Sequence, residues 1–253
     1  MSQIVWITLI NQGYVRYTMN FIESMRRNNC IFPVIIYCLD EGSMKAFRGI
    51  PNIQCIYANP FMRGQMNKQL TTWNTLDYKR IVFSKLDAIK YTMELPQYKD
   101  FLIGYIDTDI IMLKNPTDII LKEFEENPEA LVVSQCDEDG IQCTNIKGCP
   151  NICSGAIVFK QSPIIRSLLK YSEWDIIQNL TDQHYLTKKF KEMNIYYRTI
   201  EKSIFLNGSY PGLKGYGMQL IIPQKTILIH YNYMIGSLKE HNMKKNGMWY
   251  IGA

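Results

Sequence analysis

What this chain lacks narrows its function before any motif is weighed. Its 253 residues contain no G-x-x-x-x-G-K, no G-x-G-x-x-G after an apolar run and no G-x-S-x-G. P-loop, dinucleotide-binding and α/β-hydrolase chemistries therefore lack the glycine-built turns they depend on. No window approaches the ~20 uninterrupted apolar residues that a membrane helix requires. The apolar run near the N-terminus has no basic stretch before it and no small-residue cleavage site, so it reads as a first core strand and not as a signal peptide. A soluble protein in the cytoplasm is expected. Internal repeats are missing, as are linkers rich in Gly, Ser or Pro, which predicts one domain over 1–253. Charge of one sign is scarce as well: the net +5 is spread along the chain, apart from Lys239, Lys244 and Lys245. That suits phosphate ligands and argues against nucleic acid as a partner, which calls for a basic stripe.

What is present is an ordinary globular composition, with 47% hydrophobic residues that suffice for a full core. The seven cysteines are odd in number, and Cys30, Cys38 and Cys55 sit in or beside apolar segments, as buried free thiols do. Cys136, Cys143, Cys149 and Cys153 are irregularly spaced and lack the paired C-x₂-C of ribbon-type zinc sites, so zinc is not expected.

Hydrophobic periodicity predicts a strand at 4–10, a helix at 14–27 with Tyr17, Phe21 and Met25 on one face, and strands at 34–38 and 53–57. This alternation predicts a parallel sheet with right-handed crossovers. Residues 61–76 are polar, without a strong period, and read as a loop. A helix over 78–94 carries Phe83, Leu86, Ile89 and Met93, and Pro96 closes it. A short helix is expected to start near Pro116, with later helices at 163–171 and 182–190. Further strands are expected at 131–134, 156–160, 195–199 and 226–230, with an irregular insert across 135–155.

The stretch FLIGYIDTDIIMLKNP at 101–116 is an apolar strand that ends on Asp107-Thr108-Asp109. Two carboxylates in such a run are costly to bury unless a cation or hydrogen bonds hold them. In an extended backbone, residues two apart share a face, so Asp107 and Asp109 can address one ion. The carboxyl end of a central strand is where open α/β sheets bind ligands, so a divalent cation holding a diphosphate is the expected occupant.

Ile227-Leu228-Ile229-His230 is a second apolar run that ends on a ligand-capable side chain. Mixed nitrogen and oxygen ligation suits Mn²⁺ somewhat better than Mg²⁺. The plainer alternative for His230 is a hydrogen-bonded core histidine. Beyond it, Gly236 permits close approach of backbone amides to a phosphate and Lys239 can neutralise it. The alternative there is a solvated turn with a surface lysine. Lys85 is another candidate cation, or else a snorkelling side chain on its helix flank. Asp182 and Gln183 open a helix, where Asp182 serves either as a cap or dipole partner or as a carboxylate facing an electrophilic carbon. Ser154-Gly155 is either a sugar-hydroxyl contact or a tight turn.

Taken in order, these segments resemble a metal-dependent nucleotide-sugar glycosyltransferase of the GT-A fold, closest to the retaining glycogenin-like and plant cell-wall-type families. ITLINQGYV resembles the first strand and turn that hold the nucleoside, which assigns Thr8, Asn11 and Tyr14 to the nucleotide. Asp40 ends the second strand as in those enzymes, and FSKLDAIKYTME resembles the helix whose lysine, here Lys85, reaches the nucleotide. YIDTDIIMLKNP is similar to the metal-binding signature, with Asp107, Thr108 and Asp109. CSGAIVF resembles an Asn-Ser-Gly segment, with Cys153 in place of Asn and Ser154 and Gly155 retained. TDQHYL resembles the Asp-Gln helix, and HYNYMIGSLK the closing His…Gly…Lys segment. The loop before Cys153 is longer than in those families and carries the extra cysteines.

The resemblance implies a mostly parallel, Rossmann-like central sheet flanked by helices, with a small secondary sheet. It places the nucleotide on 1–115 and the sugar and acceptor on 116–253. It further implies transfer of a hexose or pentose from a UDP-sugar to a hydroxyl acceptor, with retention. Asp107, Asp109 and His230 would hold Mn²⁺ (or Mg²⁺), while Lys85, Gly236 and Lys239 attend the diphosphate. Asp182 and Gln183 would lie at the sugar, Asp182 as nucleophile or as a carboxylate that steadies the cationic ring. Two rivals are a sugar-nucleotide pyrophosphorylase and a non-catalytic nucleotide- or glycan-binding module of the same fold. The former needs a Gly-rich basic loop that Ile10-Asn11-Gln12-Gly13-Tyr14 does not supply.

Overall fold

The computed structural model describes residues 3–58, 72–137, 151–214 and 218–252. Strand β1 (Ile4–Ile10) is followed by a 3₁₀ turn at Gln12–Tyr14 and by α1 (Val15–Arg27). Next come β2 (Val34–Cys38), α2 (Glu41–Phe47), β3 (Ile53–Tyr57) and α3 (Leu76–Glu94). After a 3₁₀ turn at Pro96–Tyr98 the chain forms β4 (Leu102–Ile106), β5 (Ile110–Met112), α4 (Thr117–Glu126) and β6 (Val132–Cys136). The remainder is β7 (Ile152–Phe159), α5 (Pro163–Leu168), α6 (Glu173–Gln178), α7 (Asp182–Glu192), β8 (Tyr197–Ile200), β9 (Phe205–Leu206), β10 (Leu228–His230) and α8 (Ser237–Lys245).

Seven strands form the central sheet in the order β3-β2-β1-β4-β7-β6-β8. It is mostly parallel, as expected, with β7 alone running antiparallel to its neighbours β4 and β6. Both faces are covered, which is why its strands read as near-continuous apolar runs. Alternate residues of β1 divide between the faces. Val5, Ile7 and Leu9 join a cluster with Phe83, Leu86, Ile89 and Met93 of α3 and with Tyr185 and Phe190 of α7. Trp6 and Ile10 join Phe21 and Met25 of α1 and Ile120 and Phe124 of α4. Truncating one such fully buried aromatic, Phe83 for instance, costs about 3–5 kcal/mol.

A second sheet has three strands, β5-β10-β9. Its apolar face (Ile111, Leu206, Ile229) packs with Tyr17, Tyr231 and Met243. It stands against the carboxyl end of β4, so the two sheets meet where the acidic pair lies.

The elements absent from the sequence expectation are short: α2, α6, β9 and α8, none long enough to display a clear period. The irregular insert is shorter than expected, because Gln135 and Cys136 belong to β6 and Ile152 to Gly155 belong to β7. Its remainder, 138–150, and most of the polar loop, 61–71, lie outside the described residues. Cys30, Cys38, Cys55 and Cys153 are free thiols. Cys136 is disulfide-bonded, and such bonds persist chiefly in oxidising compartments. Among the described residues no helix is long and apolar enough to cross a membrane.

Candidate active site

A cleft of about 1160 Å³ opens at the carboxyl ends of β1 and β4. Single small-molecule pockets run to roughly 300–1,000 Å³, so this one has room for two reactants. Its floor is the acidic pair. Strand β4 ends at Ile106, and the Asp107 N–H donates to the Gly155 carbonyl at 2.7 Å. Residues 107–109 then form a turn that hands the chain from the large sheet to β5. The extended geometry expected for Asp107 and Asp109 is thus corrected. A turn, not a shared strand face, brings their carboxylates together, because β5 must pair with β10 in the other sheet.

That pairing also delivers the histidine. In the antiparallel register His230 lies opposite Ile110, and the Tyr231 N–H donates to the Asp109 carbonyl at 3.0 Å. His230 Nε2 lies 3.2 Å from Asp109 Oδ1 and 3.8 Å from Asp107 Oδ2. One ligand atom from each of Asp107, Asp109 and His230 falls within 4.8 Å of the others. Two carboxylate oxygens and an imidazole nitrogen form a donor set that Mn²⁺ accepts.

Gly155 makes this convergence possible. A Cβ there would lie 2.4 Å from Asp107 Oδ2 and 2.4 Å from His230 Cε1. The space between the ligands admits backbone but no side chain. Beside it the β6–β7 register shifts between Ser134 and Gln135, an irregularity of the kind that re-aims side chains near sites.

Two lysines neutralise the pair. Lys85, on α3, has its ammonium 2.9 Å from Asp107 Oδ1, so the snorkelling alternative is corrected: it is a buried cation. Lys239 stands on the first turn of α8, 2.5 Å from Asp109 Oδ2, so the surface-lysine alternative is corrected too. Gly236 caps that helix at φ +57°, a conformation glycine adopts without strain. Burial pulls both ammonium groups down, but Asp107 with Asp182 raises Lys85 and Asp109 raises Lys239 further. Burial likewise raises the Asp109 carboxyl, yet Lys239 and His230 outweigh it and hold it far below the ordinary carboxylate range.

The other end of the cleft is built on α7. Thr181 caps that helix, and Asp182 is its first residue, buried and lining the cleft. One Asp182 oxygen, Oδ2, has no hydrogen-bond partner among the described residues. Burial raises the Asp182 carboxyl above its ordinary range; Lys85 opposes the shift and Asp107 adds to it. Gln183 is held at both ends of its amide: its nitrogen donates to Asp137 Oδ2 at 2.6 Å and its oxygen accepts from the Ser154 N–H at 3.3 Å.

Asn11, Tyr14, Thr108, Cys153, Ser154, Gly155 and Gly236 also line the cleft. Thr8 and Asp40 stand behind it. Thr8 is fully buried in β1. Asp40 caps α2, accepting from Ser43 N at 2.7 Å and from Gln12 N at 2.6 Å, so both its oxygens serve the backbone. Such a cap is worth about 1 kcal/mol and steadies the turn that carries Asn11.

Sequence reasoning missed Gln135, Asp137, Asn232 and Tyr233. Asp137 follows an apolar strand, as Asp107 and His230 do, and that signal could have found it. Asn232 donates to Asp137 Oδ1 at 3.0 Å, and the Tyr233 hydroxyl donates to the Asp137 carbonyl at 3.0 Å.

No protein-family model and no curated protein sequence matches the chain. Solved structures do. Mouse xyloside xylosyltransferase 1 superposes with a TM-score of 0.55 at 13% identity, over 91% of this chain and 98% of that one. The galactosyltransferase LgtC, in complex with donor and acceptor sugar analogs, gives 0.54 at 9% identity over 96% and 95%. GlyE of Streptococcus pneumoniae TIGR4 gives 0.56 at 15% identity, over 97% of this chain and 60% of GlyE. The chain spans 46% of the length of the bifunctional glycosyltransferase WbbM, which it matches at 0.55. The Rossmann-like central sheet, the small second sheet and these likenesses together show that this chain has the GT-A fold of glycosyltransferases.

Proposed function

We propose that this chain is a divalent-metal-dependent glycosyltransferase that moves a hexose or pentose from a UDP-sugar to a hydroxyl acceptor, with retention of anomeric configuration. One observation carries this reading: His230, from a segment far from Asp107 and Asp109 in sequence, converges with them to within 4.8 Å, beside the buried Lys85 and the half-buried Lys239. Residues 1–115 supply most of the nucleotide contacts, and 116–253 the sugar and acceptor contacts. Asp107, Asp109 and His230 would hold Mn²⁺ or Mg²⁺. Bound there, the ion supplies Lewis-acid stabilisation of the departing diphosphate. Lys239 and Lys85 add preorganised positive charge, each worth roughly 3 kcal/mol at the transition state. In the transfer, the bond from the anomeric carbon to the β-phosphate oxygen breaks while a bond to the acceptor oxygen forms, and the acceptor proton passes to an oxygen of the departing diphosphate. The ring turns cationic on the way, and the unpartnered oxygen of Asp182 offers it negative charge, with Gln183 beside it.

The decisive experiment is a donor screen with Mn²⁺ that detects free nucleoside diphosphate. UDP release, stimulated by a sugar acceptor, is the expected result. Pyrophosphate release, or no turnover of any donor, would sink the proposal. A companion measurement is thermal melting. UDP and Mn²⁺ together are expected to raise Tm by more than the sum of their separate effects.

A further inference from the structure

We infer that Gln135 is the positioning residue of the Asp107–Asp109–His230 centre: it holds the His230 ring with Nδ1 protonated, so that Nε2 is the nitrogen offered to a cation. This rests on the reading of that cluster as a divalent-cation site. Strand β9 fixes the Gln135 amide. Its Phe205 and Leu206 carbonyls accept from Gln135 Nε2 at 3.1 and 2.9 Å. An amide nitrogen carries two hydrogens and no free acceptor, so these two carbonyls settle which way round the Gln135 amide stands. Its oxygen must then point the other way.

Where it points is His230. Gln135 Oε1 lies 2.8 Å from His230 Nδ1, both side chains being buried. A carbonyl oxygen can only accept, so Nδ1 must donate. The opposite arrangement would set two lone pairs against each other at that distance between two buried side chains. A second group touches the same nitrogen: Cys153 Sγ, at 3.5 Å. A thiol is the weaker and more distant partner, and it does not reverse a ring held by the amide.

With Nδ1 committed, only Nε2 is left to face Asp107 and Asp109, and the distances of 3.8 and 3.2 Å place it there. A ligating histidine ordinarily donates its other N–H to a carboxylate or carbonyl that fixes its orientation. In this chain a glutamine fills that role, and it is anchored in turn to the backbone of the small sheet. The register shift between Ser134 and Gln135 lies where this side chain leaves the β6–β7 ladder. Removing such a partner typically weakens metal binding about 10–100-fold.

The test uses the full-length chain with its histidines labelled with ¹⁵N. Exposed His184 and His241 serve as references for His230. A protonated, pyrrole-type Nδ1 on His230 is expected both without metal and with Mg²⁺; a pyridine-type Nδ1 would overturn the inference without any mutation. In parallel, free Mn²⁺ is followed by electron paramagnetic resonance during titration of the unmodified chain, Gln135→Leu and the volume-matched Gln135→Met. Both variants are expected to bind Mn²⁺ about 10–100-fold more weakly. A folded variant that binds Mn²⁺ as tightly as the unmodified chain overturns the assignment of Gln135 and leaves the cation site standing. Failure of the unmodified chain itself to bind Mn²⁺ or Mg²⁺ overturns the cation reading, and the inference with it.

Discussion

The Lys239 ammonium sits 2.5 Å from Asp109 Oδ2, on the same carboxylate whose other oxygen faces His230. The proposed cation site therefore carries a built-in cation on one of its ligands, and a bound diphosphate would give that lysine an alternative anion. Lys239→Met should bind Mn²⁺ more tightly than the unmodified chain when no nucleotide is present. Its UDP affinity should fall by about tenfold or more, the scale of a lost charge-assisted contact. Calorimetric titrations with each ligand separately check this. Unchanged Mn²⁺ binding with intact UDP binding would remove Lys239 from the site.

Gly155 is the narrowest point of the centre. Gly155→Ala would press a methyl group against Asp107 and His230, since its Cβ would start 2.4 Å from both. Overpacking of this kind costs about 1–3 kcal/mol, but the larger effect should fall on the ligands. A loss of Mn²⁺ affinity of more than tenfold is expected in a chain that still melts cooperatively. Melting curves alongside Mn²⁺ titration decide it, and normal affinity would show that the ligands do not use that space.

Asp182 links stability to pH. Burial raises its carboxyl above the ordinary 3.8; Lys85 opposes the shift and Asp107 adds to it. A raised folded-state value means that the fold favours the neutral acid. That stabilisation is complete below the unfolded value and is lost as pH rises through the folded one. At pH 7.5 the unmodified chain therefore carries a costly buried carboxylate. Asp182→Asn should melt higher at that pH, on the scale of about 2–4 °C per kcal/mol for a domain this size. The gain should shrink as pH falls toward the ordinary carboxylate range. Sugar transfer should drop roughly a hundredfold at the same time. A variant that is less stable at neutral pH would contradict the assignment of strain to this group.

Asp137 orients Gln183 through the 2.6 Å bond to the amide nitrogen. Asp137→Ala frees that amide, which should lower kcat by about tenfold or more and leave KM for the proposed UDP-sugar donor nearly unchanged, since the proposed nucleotide contacts lie elsewhere. Steady-state kinetics separate the two. A change confined to donor KM would place Asp137 with the nucleotide instead.

The strands that build the central sheet were legible because their signal is local. Ile4–Ile10, interrupted only by Thr8, and Val34–Cys38 are apolar runs, and the physics of a sheet covered on both faces requires them. Asp107, Asp109 and His230 stood out for the same reason, as polar groups at the ends of such runs. Gln135 did not, because a glutamine inside a strand has no distinctive neighbour in sequence. Its meaning comes from Phe205, Leu206 and His230, which it reaches only after β6 and the small sheet are assembled. Lys239 was ambiguous between a surface turn and a cation held on Asp109 until α8 formed on Gly236.

By itself the sequence determined the order of the longer strands and helices, though not the short α2, α6, β9 and α8, together with the two-faced core and the residue types available for a cation and a diphosphate. Each of these follows from periodicity and from the cost of burying charge. Tertiary structure alone decided that a turn rather than a strand joins Asp107 to Asp109. It also decided that Lys85 and Lys239 sit on those carboxylates, and that an amide pinned by two carbonyls orients the imidazole. Contacts between residues from 22 positions apart (Lys85 and Asp107) to 130 (Lys239 and Asp109) depend on how sheets and helices dock, and no local pattern encodes that.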